Sequence, residues 1–163
     1  MRPSAISRPL TAGEIAALPP GLVAAVDVAG VRLIGAHHTL SRLSQIVRGY
    51  ALILVRGQRI FWPGLTEDMS PDPLQMSVLG HELVHVWQYA TGMTVWRYIL
   101  RDVIGHLGRY AYRILPGKVF ADYGYEQQAA MVEDWMRLRK GHLPRHGPPG
   151  IDTQTLEAIV PFL

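Results

Sequence analysis

Apolar residues gather into three long stretches that read as helices and two shorter, β-branched stretches that read as strands. Thr11 is placed to cap a short helix running to Leu18, closed by Pro19-Pro20. The valine-rich segment 22–35 alternates in its second half and predicts an extended segment or strand. Segment 51–62, ALILVRGQRIFW, predicts either two strands around an RGQR turn or one long strand bulged at Gly57. Asp72-Pro73 supplies a cap and a first turn for a helix running to about Ala90, with Gly92 as its stop. A second helical pattern, 94–108, sets Val95, Trp96, Ile99, Leu100, Val103, Ile104 and Leu107 on one broad face. A third runs from about Asp122 to Lys140 and stops at Gly141. Residues 1–8 read as a loose N-terminus, 143–150 as a proline-rich linker, and 152–160 as a short capped helix. Strands before one long helix and further helices after it make the expected fold class α+β.

At 163 residues, 48% of them hydrophobic and 18% charged, the chain is expected to form a single domain over 1–163. The formal charge is +3, too small a bias to argue for a nucleic-acid partner. No cysteine is present, so any metal must be held by histidine and carboxylate. The first 21 residues carry no apolar core of signal-peptide length, and no run of 18 apolar residues predicts a transmembrane segment. The default expectation is a cytoplasmic location, with export by a specialised secretion system as the alternative.

The chemistry concentrates in GHELVHVWQ, residues 80–88. On a helix, His81 and His85 project from one face a turn apart, so both imidazoles can reach one ion at roughly 2.0–2.1 Å. Glu82 lies about 100° around from His81, beside the ion and able to take a proton from water that the metal has acidified. A catalytic site needs a third protein ligand. His106, His142, His146 and Glu126 are the candidates, and Glu126 fits best. It opens a helix on which Ala130 and Glu133 share its face, and the small Ala129-Ala130 pair allows close approach to the histidine helix. Glu133 is the first choice of carboxylate to orient an imidazole, ahead of Asp134 and Asp122, although it could instead face Arg137 at the surface. Tyr123, three residues before Glu126, could donate its hydroxyl to a developing oxyanion or simply pack.

The HELVH helix followed by a separate Glu helix resembles the gluzincin group of zinc metallopeptidases. More particularly, RPLTAGEIA (8–16), VRLIG (31–35), GHELVHVWQ (80–88) and YGYEQQAAMVEDW (123–135) resemble a family of small bacterial zincin-like proteins. That family is related to Vgr proteins and akin to the metallopeptidase domain associated with extracellular contractile injection systems. The resemblance implies a minimal zincin fold, with His81, His85 and Glu126 as zinc ligands and Glu82 as general base. Ala130 stands where the gluzincin pattern places an aspartate four residues after the ligand glutamate.

The expected function is that of a zinc metallopeptidase acting on a peptide or protein substrate, which could lie as an extended chain against a strand edge around Leu52–Val55. The alternative is a non-catalytic zincin-like assembly or cargo module of a contractile secretion system. A third possibility arises from 96–113, where Arg97, Arg101, Arg109 and Arg113 interleave with aromatics against Asp102. This pattern suits either an anionic surface or an amphipathic helix packed on the domain with a solvated basic edge, and the second is preferred. The C-terminal segment 150–163 is expected to dock on the domain as a strap, or else to plug the cleft.

Overall fold

The computed structural model describes residues 6–36, 53–105 and 110–163, apart from the side chains at 103 and 105. Ser7–Arg8, expected in a loose end, instead forms strand β1, which pairs antiparallel with β2 (Arg32–Ile34). β2 runs parallel to β4 (Arg59–Phe61), and β4 pairs antiparallel with β3 (Leu54–Arg56), giving the order β1-β2-β4-β3. The two-strand alternative for RGQR is the one adopted: Gly57, at φ 60°, and Gln58 turn the hairpin. β2, β3 and β4 each bury their central residue, and the register aligns Leu33, Ile60 and Val55 in one row against the core. β3 stands at the edge of the described sheet, as the strand-edge expectation requires; Leu52 lies outside the described residues.

The predicted strand at 22–35 is only partly one. Helix α1 (Ala12–Ala17), capped by Thr11, is followed directly by α2 (Pro20–Ala25), and extended structure is confined to β2. Pro20 at the first helical position fixes a helical φ, and the alanines that follow outweigh the valines. Helix α3 (Pro73–Ala90) is capped by the Asp72 carboxylate and ends at Gly92, whose φ is 104°. After it, α4 (Val95–Tyr98) continues into π-helical turns over Ile99–Gly105. A 3₁₀ turn (Phe120–Asp122) leads into α5 (Tyr125–Arg139), whose last turn is closed by Gly141 at φ 77°. Helix α6 (Thr153–Glu157) closes the chain.

Helices α3 and α5 pack side by side, and the contact is close because small residues line it. Ala129 and Ala130 are wholly buried, and a Cβ added at Gly80 would lie 2.4 Å from Met136 Sδ. The sheet covers another side of α3, where Leu79, Leu83 and Val84 are buried with Leu33 and Ile60. The expected face of the 94–108 helix is corrected by the structure: Val95, Trp96, Leu100 and Ile104 are exposed, and Asp102 is the wholly buried residue. The π-helical turns and the polar contacts of Tyr98 and Asp102, described next, set which side faces inward. His106, Leu107 and Arg109 lie outside the described residues.

Candidate metal centre

His81 and His85 sit one turn apart on α3, with ring centroids separated by 5.0 Å, and Glu126 faces them from the first turn of α5. Glu126 Oε2 lies 3.3 Å from Nε2 of each histidine. One ligand atom from each residue falls within 4.8 Å of the others, and all three side chains are buried. This group is able to hold a metal ion.

Hydrogen bonding around the group decides which ring nitrogens are free. Gln88 donates through Nε2 to the Tyr125 carbonyl at 3.0 Å and to Gln128 Oε1 at 2.9 Å, which leaves its Oε1 as an acceptor. His85 Nδ1 lies 2.8 Å from that oxygen and so carries the proton, leaving the Nε2 lone pair toward Glu126. His81 Nδ1 approaches Glu133 Oε2 to 3.1 Å without the alignment of a good hydrogen bond. A carboxylate only accepts, so His81 likewise keeps its proton on Nδ1 and turns Nε2 inward. Three acceptor atoms thus converge on one point, an arrangement that a proton or a metal cation must neutralise. Two imidazole nitrogens and one carboxylate oxygen are a donor set that fits a transition metal.

The electrostatics follow. Burial opposes charge on His81, but Glu126 and Glu133 beside it push its pKa up to about 10. Burial works against charge on His85 as well, and Glu126 raises it. Burial would favour a neutral Glu126, yet His85 and His81 hold its carboxyl well below the ordinary range. Burial raises Glu82, against the pull of His81 and His85. Among the described residues no donor hydrogen-bonds the Glu82 carboxylate, so its oxygens stay available to a proton from elsewhere.

Several residues of the site were not singled out from the sequence. Tyr98 donates its hydroxyl to Glu126 Oε1 at 2.6 Å, and Asp102 accepts from the backbone N–H groups of Tyr125 and Glu126 at 2.9 and 3.0 Å. The exposed α4 segment therefore fixes the third ligand from behind. Tyr98 and Asp102 stand four apart, and Asp102 is the sole acid of a basic stretch; that was the available signal. Gln88 is three residues after His85 on the same helix, an equally legible spacing. Glu133 is buried and faces His81, not Arg137. Asp134 instead accepts the Tyr112 hydroxyl and the backbone N–H groups of Arg145, His146 and Gly147, while Asp122 caps its own 3₁₀ turn at Val119. His146 reaches Glu133, and His142 is half-buried just beyond the end of α5. Tyr123, expected either to serve an oxyanion or simply to pack, donates its hydroxyl to the Arg113 carbonyl at 3.2 Å, and its wholly buried ring packs under Lys118.

The chain is 38% identical over 74 residues to the type VI secretion system spike protein VgrG2b of Pseudomonas aeruginosa, a match covering 42% of this chain. It also superposes on the solved effector domain of Pseudomonas aeruginosa VgrG2b with a TM-score of 0.63 and 28% identity, covering 79% of this chain and 73% of that one. The chain is similar to a secretion-spike effector domain. It spans 7% of the length of the whole spike protein. No family model matches it. No helix among the described residues is long and apolar enough to cross a membrane.

Proposed function

We propose that this chain is a zinc-dependent peptidase of the effector type, with His81, His85 and Glu126 as ligands and Glu82 as general base. The observation that carries the reading is the convergence of the three ligand atoms within 4.8 Å, with Glu82 on the next position of the same helix. A bound zinc with three protein ligands would lower the pKa of water and polarise a scissile carbonyl. Glu82 is raised by burial toward the range in which a carboxylate takes and returns a proton, and would carry one from water to the departing amine. Gln88 holds His85 by Nδ1, Glu133 lies 3.1 Å from the Nδ1 of His81, and Tyr98 holds Glu126 by the oxygen turned away from the histidines. The similarity to an effector domain of a secretion spike protein supports delivery through a secretion apparatus.

The test separates chemistry from metal. Glu82→Gln is expected to retain metal and fold while peptide-library turnover falls by at least about a hundredfold. Turnover unchanged in Glu82→Gln would remove Glu82 from the mechanism. Metal bound without turnover by the wild-type chain would favour the non-catalytic assembly or cargo module.

A further inference from the structure

The carboxylate of Glu133 is a junction. Its Oε2 lies 3.1 Å from His81 Nδ1 and 3.1 Å from His146 Nε2, and its Oε1 lies 3.3 Å from Arg145 Nη1. The last two residues belong to the segment that the sequence presents as a linker. That segment is anchored by its backbone: Asp134, buried on α5, accepts the N–H groups of His146 at 3.1 Å and of Gly147 at 2.7 Å. Tyr112 adds its hydroxyl to the same carboxylate at 3.0 Å. The chain passes so close here that a Cβ on Gly147 would lie 2.7 Å from the Tyr112 hydroxyl oxygen. Backbone anchoring thus presents the His146 imidazole to Glu133. The ring stacks on Tyr110 at 5.6 Å and lies 6.4 Å from the His81 ring.

We propose that His146 is a positioning residue of the metal centre, acting through Glu133 on His81. The inference rests on reading His81, His85 and Glu126 as the metal ligands. Glu133 meets His81 out of line, so nothing in that contact alone fixes how the carboxylate is turned. Arg145 is a weak guide, since its side chain is 59% exposed and the contact is screened by water. His146, with a side chain 13% exposed, holds the same oxygen that faces His81. Without it, Glu133 can swing toward Arg145, and the His81 ring loses the partner that sets its tautomer and angle. Outer partners of this kind commonly contribute tenfold to a hundredfold to metal affinity.

The experiment measures zinc affinity of the full chain by competition with a chromophoric chelator, alongside thermal unfolding of the metal-free protein. His146→Ala is expected to weaken zinc binding by about tenfold to a hundredfold with the fold retained. His146→Gln, which keeps a donor of similar reach, should recover most of that loss. On a Glu133→Ala background, His146→Ala should add nothing, because the route through Glu133 is already gone. Wild-type affinity in His146→Ala, or an equal loss with and without Glu133, overturns the inference. So does unfolding of both His146 variants, which would make His146 a folding residue. A wild-type chain that takes up no zinc overturns the metal-centre reading itself, whereas zinc binding indifferent to His146 overturns only the positioning role.

Discussion

Each imidazole of the His81–His85 pair is oriented by a different partner, and only one of the two was foreseeable as a carboxylate. The His-Glu-x-x-His spacing names the pair and the base, because helix geometry converts a spacing of four into a shared face. It says nothing of which nitrogen faces inward, since that depends on Gln88, itself held by Tyr125 and Gln128 across the helix contact. Ala130, where the gluzincin pattern has an aspartate, has the same lesson. Its small side chain admits α3, and Glu133, one turn further on, supplies the carboxylate instead. Away from the site, Glu14 is a buried and heavily bonded acid. It accepts two bonds from Arg8, closes the capping box at Thr11, and receives the Met69 N–H. Burial would raise its pKa, but Arg8 and these donors lower it below 4.5. A carboxylate lowered on folding stabilises above its unfolded pKa, and that stability is lost as pH falls through the folded value. Glu14→Gln should therefore cost about 2–3 kcal/mol at pH 7, and the difference from wild type should shrink as pH drops below 4.5. Urea unfolding at pH 7 and pH 3 checks this; a difference independent of pH would assign the loss to packing.

Among the elements, those defined by a cap and a stop were the most legible. Asp72-Pro73 and Gly92 frame α3, and Gly141 closes α5, because each signal acts within a few residues of itself. The stretch after Gly92 departs from its apolar pattern: Val95, Trp96, Leu100 and Ile104 are exposed. Its inward side is chosen by the bond from Tyr98 to Glu126 and by Asp102 on the α5 N-terminus, contacts made across more than 20 residues. Of the valines that suggest a strand, Val23 lies in the helix that Pro20 starts, and Val26 and Val28 lie at its cap and in the turn that follows. The close α3–α5 contact leads to a sharper expectation. Gly80→Val places a branched Cβ where Met136 Sδ is 2.4 Å away, in a helix pair that also carries His81 and Glu126. The cost should be about 2 kcal/mol, with weaker metal binding as the helices part. An unchanged melting temperature would show that Met136 yields freely and that helix spacing is not tight.

For the molecule as a whole, the C-terminal segment completes the core. Leu156 is wholly buried, Phe162 meets Trp87 at 5.4 Å and Phe120 at 5.7 Å, and Glu157 accepts from the Trp135 indole. Five apolar residues near the end made docking legible in the sequence; the surface they dock on was not, because it is assembled from α3, α5 and the 3₁₀ turn. Removing 150–163 should lower stability by about 5 kcal/mol, from the burial of Leu156, Val160 and Phe162, with no gain in peptide cleavage. Faster cleavage at unchanged stability would restore the plug.

On the proposed reading α3 and α5 come together to share one ion, and the metal content of the purified chain reports that directly. About one zinc per chain is expected in wild type and in Glu82→Gln, and far less in His81→Ala and Glu126→Ala. Full zinc in Glu126→Ala, with loss in His106→Ala or His142→Ala, would contradict the account.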